Sequence, residues 1–358
     1  MSSLERLRRA GVSIWLDTLS RELLESGEFE RYVHDYGVTG ATSNPTIFER
    51  AIAGSDRYDA QLRGWTESPR MAFFDLALDD VATAAELLRP AYALSAGRDG
   101  YVSFQTTPDL ADDAAGLVDQ GLALWRRLAL PNVMIKVPAS DAGVTATERL
   151  TLLGVNVNVT LLFSAERYEQ VIGAYMRGLE QRVARKLPID GIASVASFFV
   201  SRIDSKADPL LPLDSPLRGR LAIANARRAY ALYKRRFGGA RWHRVEAAGG
   251  RPQRPLWAST GTKDPSYRDV LYVEELVTRG AVNTMPLDTL EAFARHGEPH
   301  VAPAGGFEDV LARAAEAGVD LDRIAAELEG EGIDAFAASY ERLLEAIASR
   351  TDELALAA

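Results

Sequence analysis

Two periodicities alternate along the chain. Short apolar runs rich in Val, Ile, Leu and Phe fall at residues 13–17, 38–43, 101–106, 133–137, 155–162, 192–200, 255–260 and 281–285. Each has the length of a strand and is bounded by turn formers or charged residues. The stretches between them repeat their apolar positions at helical spacing, as at 71–94, 110–130, 165–186 and 217–237. Strands alternating with amphipathic helices predict a parallel sheet built from βαβ units. Eight of them predict a closed (β/α)8 barrel, the TIM-barrel architecture, with an open doubly wound α/β sheet as the alternative.

Beyond residue 285 the pattern becomes helical and acidic, at 287–295, 307–317, 321–329 and 334–347. We read residues 1–358 as a single barrel domain with additional helices at both termini, residues 287–358 forming a helical C-terminal extension packed on the barrel. Gly238-Gly239 and residues 247–255 read as a long loop rather than a domain linker.

Length and composition narrow this picture. A chain of 358 residues fits two domains of about 150 residues or one barrel, which runs from about 200 to over 400. The absence of cysteine excludes disulfide scaffolds, thiolate metal sites and thiol nucleophiles. With 41 basic and 50 acidic residues the net charge is −9, which argues against a general nucleic-acid or anionic-membrane binder. Four histidines leave little for a metal centre, and in His296-Gly297-Glu298-Pro299-His300 the Gly and Pro prevent helical ligand spacing. No metal or cofactor is expected.

No apolar run approaches the roughly 20 residues of a membrane span, and no signal-peptide core follows the charged start. The expectation is a cytoplasmic protein, monomer or homodimer, without membrane partners. Dinucleotide and P-loop glycine fingerprints are absent. Arg227, Arg228, Lys234, Arg235 and Arg236 form either an anion patch or the solvated face of a helix; the acidic chain favours the latter. Asp109, Asp112 and Asp113 suit the start of a helix.

Candidate chemistry lies where polar residues interrupt the strands near their C-terminal ends, since a buried parallel strand should be almost wholly apolar. In Asn156-Val157-Asn158-Val159-Thr160 the three polar side chains share one face and the valines the other. They either satisfy one another and nearby backbone or line a site. Lys136, in Met134-Ile135-Lys136-Val137-Pro138, is an edge residue or a functional one, because lysine is almost never buried unpaired. A desolvated lysine at a barrel mouth would have a lowered pKa and offer a neutral amine for a Schiff base. Asp17 closes the first run and serves either the site or the N-cap of a helix starting near Ser20. Asn44-Pro45 is by itself a turn signal. Ser197 with Arg202, and Ser259 with Lys263, put hydroxyls and cations at two adjacent strand ends. They are ordinary surface groups or the partners a phosphate ester requires.

Together these blocks resemble the transaldolase family over nearly the whole chain. Thr39-Gly40-Ala41-Thr42-Ser43-Asn44-Pro45-Thr46 is similar to its first signature, and residues 133–144 around Lys136 to its second. Asn158-Val159-Thr160-Leu161-Leu162-Phe163-Ser164, residues 197–202 and residues 256–263 resemble later blocks. Val282-Asn283-Thr284-Met285-Pro286 and the length look like the longer bacterial subfamily. The resemblance implies a cofactor-independent Schiff-base transferase of carbohydrate metabolism, in the pentose phosphate pathway. It would act on sugar phosphates such as fructose 6-phosphate or sedoheptulose 7-phosphate. It implies Lys136 as the Schiff-base lysine, Asp17 as general base, and Asn44 and Asn158 as groups that hold the intermediate. Thr160 would position a water, Ser197 would bind substrate, and Ser259 and Arg202 would bind its phosphate.

Two departures stand against that pattern. Where the family usually carries Glu, Val102-Ser103-Phe104-Gln105-Thr106-Thr107 carries Gln105, which can hydrogen-bond a water but cannot take its proton as a carboxylate does. Related fructose-6-phosphate aldolases pair that Gln with a Tyr where this chain has Phe199, in the substrate-binding set. Lys263 stands in for an expected Arg, as a point charge rather than a bidentate fork. The alternatives are a Schiff-base aldolase or transferase with an altered substrate, and an inactive barrel that binds a phosphosugar.

Overall fold

Strands β1 Ser13–Leu16, β2 Gly40–Thr42, β3 Tyr101–Gln105, β4 Val133–Pro138, β5 Val157–Leu162, β6 Ser194–Phe199, β7 Arg254–Ala258 and β8 Val282–Met285 close into a barrel in chain order. They do so in a computed structural model that describes residues 1–301, 303 and 305–357. Every neighbouring pair is parallel, β1 with β8 included. The closed (β/α)8 fold therefore stands and the open sheet does not. Each of the eight predicted runs overlaps one strand, with ends that differ by up to two residues.

The N-terminal end of the barrel is plugged. Trp15 points inward over Gly40, where any Cβ would collide with the indole, and its Nε1 donates to Asp99 at 2.7 Å. Asn156, read with the strand, lies just before β5 at this end. Its amide donates to the Pro131 and Val133 carbonyls, both at 3.0 Å, and accepts from Ala193 N at 2.9 Å. Of the three aligned polar residues, Asn156 thus joins backbones, away from the mouth.

Helix boundaries follow local capping. The predicted helix over 71–94 is two, Pro69–Leu87 and Arg89–Leu94; Ser68 caps the first with Pro69 in its opening turn. The predicted start near Leu110 shifts to Ala114–Leu128, because Asp113 caps it by accepting from Ala115 N and Gly116 N. The stretch from Gly238 to Pro255 is not all loop, since Ala240–Ala247 is helical. The cluster at 227–236 lies on the helix Leu221–Phe237, where Arg227 meets Glu275, Arg228 meets Asp322 and Arg236 meets Glu169.

The largest correction is at the C-terminus. The two helices predicted at 321–329 and 334–347 are one, Leu321–Leu356. Gly330 and Gly332 do not break it. Gly332 is the point where the helix comes closest to β5: a Cβ there would lie 2.8 Å from Leu161 Cδ2. This helix crosses the C-terminal end of the barrel. Ser339 meets Thr46 at 2.8 Å, Arg342 bonds Glu49 at 2.6 Å, and Lys206 bonds Glu327 at 2.8 Å. A shorter helix, Ser3–Arg9, flanks the barrel at the other terminus.

Candidate active site

A cavity of about 250 Å³ opens at the C-terminal end of the strands. Asp17, Asn44, Lys136, Ser197, Phe199, Arg202, Ser259 and Lys263 all line it. Three further candidates sit behind its wall. Asn158 is fully buried and bridges, its amide donating to Ser103 Oγ at 2.9 Å and its Oδ1 accepting from Ser197 Oγ at 2.7 Å. Gln105, 7% exposed, lines two small voids beneath the C-terminal helix, one beside Tyr340 and one beside Leu161 and Phe336. Thr160 is fully buried. The Gln105 Oε1 and Thr160 Oγ1 have no hydrogen-bond partner among the described residues.

Lys136 is 3% exposed. Its register partners are Gln105 on β3 and Asn158 on β5, so the three occupy one level of the barrel. The Nζ donates to the Ser43 carbonyl at 3.2 Å. Burial pulls the amine from its ordinary 10.5 down to about 8, opposed only by the negative charge of Asp17. About a tenth of the amine is therefore neutral and nucleophilic at pH 7, hundreds of times the share of an ordinary lysine.

Asp17 lies just past β1 and its backbone N–H extends the ladder to Met285 O at 2.8 Å. It does not cap the following helix. Ser20 does, accepting from Leu23 N at 3.1 Å. The Asp17 carboxylate instead accepts from Thr42 Oγ1 at 2.7 Å, and Thr42 shares a 2.9 Å hydrogen bond with Thr284. These hydroxyls from β2 and β8 fix the carboxylate over the cavity.

Asn44, read as part of a turn, is an N-cap. Its Oδ1 accepts from Ile47 N at 3.0 Å and Pro45 takes the first helical position. With Oδ1 held by the helix Pro45–Ala53, the amide NH₂ is its remaining polar group. Ser259 has φ +54, a left-handed conformation rare for a residue with a side chain. Its hydroxyl meets Ser201 Oγ at 2.9 Å.

Arg202 lies at the start of the helix Ser201–Ala207, which follows β6 directly. Its guanidinium stands 5.4 Å over the Phe199 ring. Burial lowers its pKa, against the pull of Asp17 and Glu331, and an arginine so placed stays charged. Behind it Asp204, pushed up to about 7 by burial, accepts from Ala222 N at 2.7 Å and Tyr272 Oη at 2.9 Å. Asp208 accepts from Tyr267 Oη at 2.7 Å. That bond ties the segment after Arg202 to the loop that carries Lys263.

Among the lining residues that sequence reasoning did not single out are Thr42, Arg50, Thr284 and Phe336. The threonines had a signal, being polar residues near the C-terminal ends of β2 and β8. Arg50 had a weaker one, since Ile47 and Arg50 stand three apart on one helix face. Phe336 had none, because it arrives from the helix that was read as interrupted. The His296 segment forms a surface pair, Nε2 meeting Asp269 at 2.8 Å. No cluster of three metal-ligating side chains occurs among the described residues. Nor, among them, is any helix long and apolar enough to cross a membrane.

The family described as transaldolase/fructose-6-phosphate aldolase matches residues 14–347. The chain is 46% identical over 362 residues to a transaldolase of Saccharopolyspora erythraea, with 98% of each chain covered. It is 46% identical over 356 residues to a transaldolase of Parafrankia sp., with 96% of each covered. To transaldolase 1 of Streptomyces coelicolor it is 45% identical over 364 residues, covering 98% of this chain and 95% of that one. The match begins in β1, passes through every strand that carries a cavity residue and ends inside the helix that crosses the mouth, and on that extent the chain belongs to the transaldolase/fructose-6-phosphate aldolase family.

Proposed function

We propose that this protein is a transaldolase, moving a three-carbon dihydroxyacetone unit between sugar phosphates through a Schiff base on Lys136. The observation that carries this reading is the desolvated Lys136 amine, its pKa drawn down to about 8, facing Asp17 in a cavity lined by cations. The neutral amine adds to the C2 ketone of fructose 6-phosphate or sedoheptulose 7-phosphate, and loss of water with uptake of a proton leaves a protonated imine. Asp17 takes the proton of the C4 hydroxyl as the C3–C4 bond breaks, and the electron pair moves into an enamine on Lys136. The aldose phosphate departs, the acceptor's aldehyde carbon is attacked by the enamine, and hydrolysis frees the lysine.

Asn44, through its free NH₂, and Asn158, fixed between Ser103 and Ser197, hold the intermediate's hydroxyls. Ser197 and Phe199 line the sugar. Arg202, Ser259 and Lys263 receive the phosphate. The unpartnered Thr160 hydroxyl and Gln105 amide oxygen hold the water that imine formation releases and hydrolysis consumes. Borohydride reduction in the presence of fructose 6-phosphate, followed by peptide mapping, tests the scheme. The expected result is a covalent adduct on Lys136; a protein left unmodified there overturns it.

Gln105 favours a second reading. It resembles the Gln that related fructose-6-phosphate aldolases carry at this position, which points to an aldolase that releases free dihydroxyacetone. Assaying dihydroxyacetone release against transfer to erythrose 4-phosphate, with and without acceptor, separates the two. Transfer in excess supports the transaldolase, and release that an acceptor leaves unchanged supports the aldolase.

A further inference from the structure

The scheme above leaves one cation of the cavity without a role. Arg50 lies in the last turn of the helix Pro45–Ala53, six residues after the Asn44 cap. Its side chain lines the Lys136 cavity beside Ile47. Chain-order closure sets β2 diametrically opposite β6, so Arg50 approaches the mouth from the side facing Arg202.

Nearby arginines have carboxylate partners: Arg21 meets Asp80 at 2.9 Å and Arg57 meets Glu25 at 2.8 Å. Even Glu49, next to Arg50 in sequence, is bound at 2.6 Å to Arg342. Among the described residues Arg50 has no such pair, and neither have Arg202 and Lys263. Setting aside Lys136, whose amine reacts as the neutral base, three cations therefore converge on a cavity whose lining carries one carboxylate, Asp17. The two positive charges left over complement a phosphate monoester, which bears nearly two negative charges at neutral pH.

A purely structural account is available, because a cation in the last turn of a helix is favoured by its dipole. That account is met by any orientation over solvent. It does not require the side chain to form a wall between the Lys136 cavity and the adjoining groove, which Thr18, Ser20, Glu22, Ser55 and Asp288 line on the other side without an ion pair to Arg50 among the described residues.

We propose that Arg50 is a specificity-determining residue that holds the substrate phosphate from the β2 side of the mouth, opposite Arg202, and so selects phosphorylated over neutral sugars. The assignment rests on the transfer reaction proposed above. A guanidinium contributes charge-assisted hydrogen bonds to an anion and nothing comparable to an uncharged sugar.

The test compares full-length wild type with Arg50→Gln and Arg50→Lys, using erythrose 4-phosphate and unphosphorylated erythrose as acceptors. For Arg50→Gln the preference for the phosphorylated acceptor, as a ratio of kcat/KM values, should fall about tenfold or more. The loss should appear in KM rather than kcat, and Arg50→Lys should recover part of it. Calorimetric titration with inorganic phosphate should weaken in parallel. An unchanged preference, or equal losses on both acceptors, overturns the assignment. Borohydride trapping on the same samples keeps the two questions apart. An unlabelled Lys136 in wild type sinks the Schiff-base scheme, whereas an adduct with unaltered preference sinks only the role of Arg50.

Discussion

A lysine held almost out of water is a liability to the fold. For Lys136 the native pKa of about 8 lies below the ordinary 10.5, so between those values the unfolded chain binds the extra proton. Stability therefore climbs with pH across that window, and below about pH 8 the full penalty applies, on the order of 3 kcal/mol. Lys136→Met keeps the apolar stem and removes the charge. At pH 7 the variant should be inactive yet melt at a higher temperature than wild type, with the gain shrinking as the pH rises from about 8 toward 10.5. Thermal melts at pH 7 and 10 decide it, and an equal or lower melting temperature at pH 7 rejects the desolvation account. This trade of stability for chemistry is also why Lys136 was legible in the sequence: a lysine in an apolar strand breaks a packing rule and has to be explained. Asp17 and Asn44 were half legible. A strand-end carboxylate and an Asn-Pro pair announce themselves, but only the structure shows Ser20 capping in place of Asp17 and Asn44 capping its own helix. Arg50 is exposed and breaks no packing rule, so only its spacing from Ile47 hinted at it.

At the level of elements, the eight strands were readable because their apolar runs are short, separate and β-branched. The C-terminal helix was not. Gly330-Glu331-Gly332 looks like a break on propensity alone, since each glycine costs a helix interior up to about 1 kcal/mol relative to alanine. Tertiary packing overrides that preference, and the two glycines do different things. Gly330 is exposed and a Cβ on it meets nothing within 4 Å. Gly332 is buried against Leu161, which itself adopts φ +63 where the β5–β6 register shifts. Gly330→Ala should therefore stabilise the protein by about 0.5–1 kcal/mol, through helix propensity and a less flexible unfolded chain. Gly332→Leu should destabilise it by about 1–3 kcal/mol by forcing the helix off the strand. Denaturant titrations of both variants measure this. If the two substitutions move the midpoint in the same direction, the close approach at Gly332 does not hold the helix in place.

For the whole molecule, chain order and closure followed from counting strands, but nothing in the pattern said that the last helix lies across the mouth. Periodicity reports which face of a helix is apolar, not which surface that face meets. Here the partner is an aromatic cluster near the cavity: Tyr340 packs edge-on against Phe73 at 5.5 Å, and Phe73 contacts Phe48 and Phe104 at 5.7 and 6.0 Å. Further along, Arg350 binds Asp59, and Phe336 faces the cavity itself. We propose that the helix is part of one folding unit rather than an appendage, and removal of residues 321–358 tests this. Truncation would uncover the Phe48, Phe73 and Phe104 rings, open the voids that hold Gln105 to bulk water, and leave Lys206 without Glu327 and Glu331. A contiguous exposed aromatic patch of that kind favours aggregation over a retained native state. The truncated chain should lose near-ultraviolet circular dichroism, bind a hydrophobic dye, and fail to form the Lys136 adduct with fructose 6-phosphate. A truncated chain that melts cooperatively close to the full-length temperature would instead establish residues 1–320 as a self-sufficient barrel. The same comparison separates shelter from chemistry: if such a barrel folds but cannot be trapped at Lys136, the helix acts on the site by excluding water from it.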